Sequence, residues 1–350
     1  MTKFSAKSGM VVVMATGTGA VLALAHFPFL NPNALNEFDQ ELWRNRVITD
    51  PFEPGSTMKI FSAAAAIESG SCSPNSIFYC ENGAYRVGRH VVHDTHEYGW
   101  LSLQQIIKYS SNIGAIKFST KTGSEYLFRT LRNFGFGKKT GIDSPGETAG
   151  SLASFKKWTK IDAGTISFGQ GISVSALQLI AATSAIANKG ILMKPYVVQA
   201  ITDQNGRLLK SFGPRQGKRV ISEKTAKTLT RIMQTVTTEG GTGVNAALSG
   251  HSVCGKTGTA QKIGKNGGYA NGKYLSSFVG FVPSEHPKIA ILVVIDEPKG
   301  QHYGGIVAAP GFRNIAQKTL AYMNISPKSK TDGLIVSLGG KTKECNFRIY

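Results

Sequence analysis

From Gly9 to Leu30 the chain carries no Asp, Glu, Lys or Arg, and any fold must find a place for that stretch. Its length would suffice for a membrane span. The order of residues argues otherwise, because MVVVMA and AVLALAHF are separated by the small polar turn TGTG and followed by FPFLNPN. Each Gly weakens a helix, and two apolar runs joined by a Thr/Gly turn read as a hairpin whose strands are buried. We therefore expect two strands over residues 10 to 27. On that reading the stretch is neither signal peptide nor anchor.

The other end of the chain supplies three more strand-like runs, HSVCGKTGTAQ, SSFVGFVP and KIAILVVID, rich in β-branched and aromatic residues. Between the two sets lies a helical middle. A uniformly apolar helix runs from Ser56 to about Ser69 and stops at Gly70, which places it inside the domain. Ser102-Leu-Gln-Gln105 has the capping-box pattern and opens a helix to about Tyr109. Further helices are expected from Ala176 to Lys189 before Gly190, from Ser222 to near Thr238, and from about Gly311 to Met323. Residues 71 to 101 read as turns and short strands. The Gly and Pro punctuation between Gly123 and Trp158 reads as a surface loop region. Strands from both chain ends around a helical middle make an α/β domain with an antiparallel sheet. No internal repeat is visible. The domain is expected over residues 1 to 325, and 326 to 350 form a polar tail.

Lys and Arg outnumber Asp and Glu by 40 to 21, a surplus that suits an anionic polymer, anionic lipid or nucleic acid. The basic residues are scattered, without the aromatic interleaving of a single-strand groove, so nucleic acid is not expected as a partner. His90, His93 and His96 stand beside Asp94 and Glu97, but a spacing of three puts successive ligands on opposite faces of a strand. A hydrogen-bonded loop is expected there, not a metal site. Cys72, Cys80, Cys254 and Cys345 show no CxxC spacing. Cys72 and Cys80 are close enough to be bridged in an oxidising compartment, and free thiols are the simpler reading.

Three short motifs occur in one order: Ser56-Thr-Met-Lys59, Ser110-Ser-Asn112 and Lys256-Thr257-Gly258-Thr259. Each alone is weak, since a helical Ser usually caps or bonds locally. Together they make a coherent acyl-transfer site. Positions three apart on a helix share a face, so the Lys59 amine can reach the Ser56 hydroxyl. An apolar setting at a helix N-terminus disfavours an ammonium, which leaves Lys59 able to take the serine proton. Ser110 can relay protons, and the Asn112 amide can hold a peptide by donor and acceptor together. Lys256 supplies positive charge, and the hydroxyls of Thr257 and Thr259 suit a terminal carboxylate. Gly258 is expected to let substrate approach the strand. The backbone N–H groups of Ser56 and Thr259 are expected to form an oxyanion hole.

With the flanking segments RNR (44 to 46), EPGST (53 to 57), GQG (169 to 171), GKTGTAQ (255 to 261), SFVGFVP (277 to 283) and YGG…APGF (303 to 312), residues 10 to about 323 resemble the transpeptidase domain of class B penicillin-binding proteins, especially the division-type enzymes. The resemblance implies a β-lactamase/transpeptidase-like fold, a five-stranded antiparallel sheet flanked by helices. It implies attack of Ser56 on the D-Ala-D-Ala bond of a peptidoglycan stem peptide and transfer to a neighbouring amine, with β-lactams trapping Ser56. No cofactor is implied. The implied partners are stem peptides, β-lactams, and cell-division and glycan-polymerising membrane proteins at the extracytoplasmic face of the inner membrane. Three related activities share this chemistry. A class A β-lactamase needs a Glu-x-x-Leu-Asn loop, which is absent; the flanking motifs argue against a D,D-carboxypeptidase, and the full set of polar site residues argues against a non-turnover sensor. The family's N-terminal membrane helix and pedestal domain are not expected within residues 1 to 350. Cys254 stands where Ala is more familiar and reads as a small core residue. Ser175 stands where Thr is usual.

Overall fold

The computed structural model describes residues 1–31, 33–264 and 268–327. Cys345 and nearly all of the expected polar tail lie outside them. The hairpin forms, but only its first strand is buried as expected: β1 (Ser8–Ala15) turns at Thr16 to Gly19 into β2 (Val21–Phe27), which lies at the sheet edge with no buried residue. Gly19 takes φ +79°, and a Cβ there would come within 2.7 Å of the Lys194 carbonyl oxygen, so glycine is required twice over. β3 (Cys254–Ile263), β4 (Tyr269–Val282) and β5 (Ile289–Asp296) complete a five-stranded antiparallel sheet in the order β3-β4-β5-β1-β2. Every pairing is antiparallel, and β1 sits between its own hairpin partner and β5.

The unbroken apolar runs of β1 and β5 follow from burial on both faces. Along β5, Ala290, Leu292 and Val294 point into one core, and Ile289, Ile291 and Val293 point into the other. The first core contains α1 (Lys59–Glu68) and α6 (Ala176–Ala187). The second is closed by Phe312, Ala316 and Leu320 of α8 (Ala309–Tyr322). Phe278 meets Phe312 edge-on at 4.8 Å between centroids, and each such fully buried side chain contributes about 1.5–3 kcal/mol. β2, at the sheet edge, keeps an exposed alternation instead.

The capping box at Ser102 is present in full and starts α2 (Leu103–Tyr109). After a single reversal α3 (Asn112–Thr122) follows, capped by Ser111. Residues 71 to 101 contain short strands and turns, as expected, including the hairpin of Ala84–Val87 with His90–His93, together with one 3-10 turn at Glu81–Gly83.

The loop region expected after Gly123 is wrong in its first part. Residues Ser124–Asn133 form α4, and Lys160–Ser167 form α5 just beyond it. α4 buries Leu127, Thr130 and Leu131, the spacing of an amphipathic helix. Two other helices stop early: α6 ends at Ala187, and α7 spans Glu223–Thr235. Asn188 leaves helical geometry and Lys189 and Gly190 both take positive φ, which ends α6 before the glycine is reached. No helix among the described residues is long and apolar enough to cross a membrane.

Candidate active site

Ser56 does not open α1 directly. It lies on the 3-10 turn Gly55–Met58, and the α-helix begins at Lys59. A 3-10 turn has three residues per turn, so positions i and i+3 eclipse one another. That places the Lys59 Nζ 2.9 Å from the Ser56 Oγ, a tighter alignment than the helical spacing requires.

The turn is wedged from two sides. On one, the Gly55 N–H donates to the Gly169 carbonyl oxygen at 3.2 Å, and a Cβ on Gly169 would lie 2.1 Å from the Gly55 oxygen. On the other it packs against β3. A Cβ on Gly258 would meet the Ser277 Oγ at 2.3 Å, the Thr57 Cγ2 at 2.9 Å and the Pro54 oxygen at 3.1 Å. The expectation that Gly258 admits substrate to the strand is therefore corrected. Its missing side chain admits the serine turn.

Lys59 is wholly buried among oxygens. Besides Ser56 it donates to the Ser110 carbonyl at 2.5 Å, the Ser110 Oγ at 3.1 Å and the Asn112 Oδ1 at 2.7 Å. Ser110 adopts φ +64°, the left-handed region that ends α2. This sparsely populated conformation turns its carbonyl and its hydroxyl toward the same amine. Burial pushes the Lys59 ammonium down to about 7, with the Asp94 carboxylate acting in the opposite direction. Lys256, also wholly buried, donates to the same Ser110 Oγ at 2.9 Å and to the Thr257 carbonyl and hydroxyl at 3.2 and 3.3 Å. Burial first, and then the charge of Lys59, hold it well below the ordinary lysine range. Two amines thus face one hydroxyl.

The threonines of β3 have partners of their own. Thr257 Oγ1 donates to Thr242 Oγ1 at 3.0 Å, and Thr259 Oγ1 accepts from the Gly304 N–H at 3.1 Å. Asn112 is more engaged than expected: its Oδ1 takes Lys59, and its Nδ2 donates to the His93 carbonyl at 2.9 Å. One lone pair and one N–H remain for a ligand. All eight sequence-predicted residues, Ser56, Lys59, Ser110, Asn112, Lys256, Thr257, Gly258 and Thr259, meet around this one cluster.

Sequence reading missed the role of Asp94. Its Oδ1 accepts the N–H groups of Asn112 and Ile113 at 2.5 and 3.2 Å, and its Oδ2 accepts the Ser111 hydroxyl at 2.5 Å. A carboxylate at the orphan amides of a helix N-terminus is favourable, and this one fixes the first turn of α3 and with it Asn112. The only sequence signal was its place in HVVHD, whose hairpin carries His93 and Asp94 to the motif. His90 and His93 are exposed on that hairpin. Among the described residues no cluster of His, Cys, Asp and Glu is placed to hold a metal ion. Cys72, Cys80 and Cys254 are buried free thiols. Cys254 Sγ donates to the Thr230 carbonyl at 3.2 Å, and burial raises its pKa, so it is a core residue and not a reactive one.

Residues 9–317 match the family model described as the penicillin binding protein transpeptidase domain. The probable peptidoglycan D,D-transpeptidase PenA of Neisseria meningitidis is 39% identical over 324 residues, covering 92% of this chain and 53% of that protein. The peptidoglycan D,D-transpeptidase FtsI of Escherichia coli is 38% identical over 329 residues, covering 94% and 54%. The chain thus spans about half the length of these relatives. The apo transpeptidase domain of Burkholderia pseudomallei penicillin-binding protein 3 matches with a TM-score of 0.81 at 36% identity, over 94% of this chain and 92% of that one. Penicillin-binding protein 3 of Mycobacterium tuberculosis, solved with aztreonam, gives 0.83 at 31%, over 93% and 75%.

Proposed function

Because this chain belongs to the penicillin-binding protein transpeptidase family, we propose that it is a serine D,D-transpeptidase domain that cross-links peptidoglycan stem peptides and is acylated by β-lactams at Ser56. The observation that carries the assignment is the Lys59 amine, 2.9 Å from the Ser56 hydroxyl and held near pH 7 by burial. A neutral amine has two N–H donors and one lone pair. The donors satisfy Asn112 Oδ1 and the Ser110 carbonyl, and the lone pair faces the Ser56 proton.

In this reading Ser56 Oγ attacks the carbonyl of the penultimate D-Ala as Lys59 takes its proton. The backbone N–H groups of Ser56 and Thr259 hold the oxyanion, a single such donor being worth about 10²–10³ in rate. As the C–N bond breaks, Ser110 Oγ, between Lys59 and Lys256, delivers a proton to the nitrogen of the departing D-Ala and is reprotonated by the Lys59 ammonium 3.1 Å away, which returns that amine to its neutral form. An acceptor amine then attacks the ester, gives its proton to Lys59, and Ser56 Oγ leaves reprotonated. Lys256, Thr257 and Thr259 bind the substrate carboxylate, and Asn112 holds the stem peptide with its remaining donor and acceptor. The enzyme needs no cofactor and works at the extracytoplasmic face of the bacterial inner membrane, beside cell-division and glycan-polymerising membrane proteins. The test is intact mass after penicillin treatment. One penicilloyl adduct is expected on the wild type and none on a folded Ser56→Ala variant, and a stoichiometric adduct on that variant would overturn the assignment.

A further inference from the structure

Glu53 stands three residues before Ser56 on an extended segment whose Phe52 exchanges backbone hydrogen bonds with Val174, both at 2.9 Å. Its carboxylate is half-buried and has two partners that come from different parts of the chain. Oε1 accepts the Gly171 N–H at 2.8 Å, and Oε2 accepts the Tyr269 hydroxyl at 3.1 Å. Gly171 closes the GQG loop, whose Gly169 presses on Gly55. Tyr269 opens β4 and pairs with Ile263 at the far end of β3. The middle of β3 touches the serine turn directly, since a Cβ on Gly55 would meet the Ala260 Cβ and the Thr259 oxygen, each at 3.2 Å.

One carboxylate therefore closes a ring made of the serine segment, the GQG loop and the β3–β4 hairpin. We propose that Glu53 is a positioning residue that, as an anion, clamps Tyr269 and the GQG loop about the Ser56 turn and so fixes β3 relative to the serine. The proposal rests on the acyl-transfer reading above.

The chemistry favours a clamp that works only when charged. A carboxylate accepts both donors at once through charge-assisted bonds. A neutral carboxyl must place its own proton against one of two donors, and that contact is lost. Burial raises the Glu53 pKa, while the Gly171 N–H and the Tyr269 hydroxyl lower it. Burial first, and then the same pairing, hold the Tyr269 phenol protonated. Among the described residues no Lys, Arg or His of the GQG loop, β3 or β4 acts on Glu53. Nor is Glu53 among the charges that act on Lys59, which are Asp94 and the neighbouring Lys256. Its effect on the reaction therefore runs through geometry.

The test is the first-order acylation rate at saturating fluorescent penicillin, followed from pH 8 to pH 4.5. The wild type, Glu53→Gln and Tyr269→Phe are compared, with folding checked by circular dichroism at each pH. Lys59 alone gives a logarithmic profile that falls with unit slope on the acid side. In the wild type we expect the slope to steepen toward two where Glu53 protonates. In Glu53→Gln, whose amide can accept from Gly171 and donate to the Tyr269 oxygen, unit slope should persist throughout. In Tyr269→Phe the steepening should move to higher pH, because the bond that lowers the Glu53 pKa is gone. A uniform loss of rate with an unchanged profile would mark a merely structural residue and overturn the proposal. So would unit slope in the wild type. If the wild type is not acylated at all, the acyl-transfer reading itself is what has failed.

Discussion

Gly258→Ala tests whether the missing side chain on β3 is what seats the serine. The new Cβ would start 2.3 Å from Ser277 Oγ, 2.9 Å from Thr57 Cγ2 and 3.1 Å from the Pro54 oxygen. The first clash is cheap, because Ser277 Oγ has no hydrogen-bond partner among the described residues to lose if it rotates away. The other two are not, since they belong to the serine turn, which is backed from the other side by Gly169, whose carbonyl oxygen accepts the Gly55 N–H at 3.2 Å. Restoring an ordinary carbon–carbon contact of about 3.5 Å displaces Thr57, the neighbour of Ser56, by roughly half an ångström. Overpacking of this kind costs about 1–3 kcal/mol of stability. A misplacement of about 1 Å costs on the order of 10²-fold in rate, so half of that should cost at least ~10-fold. The assay is stopped-flow acylation by a β-lactam alongside a thermal melt. Thr57→Ser in the Gly258→Ala background removes Cγ2 and should recover part of the loss. An acylation rate within twofold of wild type in Gly258→Ala would refute the packing argument.

With the Lys59 pKa lowered to about 7, the neutral fraction and the acylation rate should rise about tenfold between pH 6 and pH 8, and a rate flat over that range would exclude Lys59 as the base. Lys59→Arg keeps a cation that cannot deprotonate, and above pH 7 acylation should fall by at least ~10²-fold. Asp94→Asn removes a charge that raises the Lys59 pKa, so the midpoint of the acylation profile should move to lower pH; a midpoint that stays or rises would contradict the electrostatic link. Mixed with excess nitrocefin, the protein should give about one equivalent of colour and then almost nothing, whereas sustained turnover at ~1 s⁻¹ or more would identify a β-lactamase.

What the sequence disclosed was local chemistry. The capping box at Ser102 and the Thr/Gly turn between two apolar runs are encoded within a few residues, and both formed as read. The three motifs were legible for the same reason. The helix Ser124–Asn133 was not, because the glycines around it outweighed a periodicity that was present: Leu127, Thr130, Leu131 and Phe134 fall at i, i+3, i+4 and i+7 and are all buried. Asp94 and Glu53 had no such signal. The partners of Glu53 at Gly171 and Tyr269 are 118 and 216 residues away in sequence, and only the folded sheet brings them together. Gly258 was read for what it lets in from outside, when its space is taken by the protein itself.

Two buried amines on one serine hydroxyl also set up a contest over a proton. Lys256 is held below its ordinary range by burial and by the charge of Lys59. An arriving carboxylate lowers the cost of a cation there, so capture of an anionic ligand draws a proton into the pocket. Capture is then strongest in mild acid, where protons are plentiful, and bond formation is fastest in mild base, where Lys59 is empty. The cluster cannot optimise both. A compound that dispenses with the carboxylate would escape that compromise and bind with little dependence on pH.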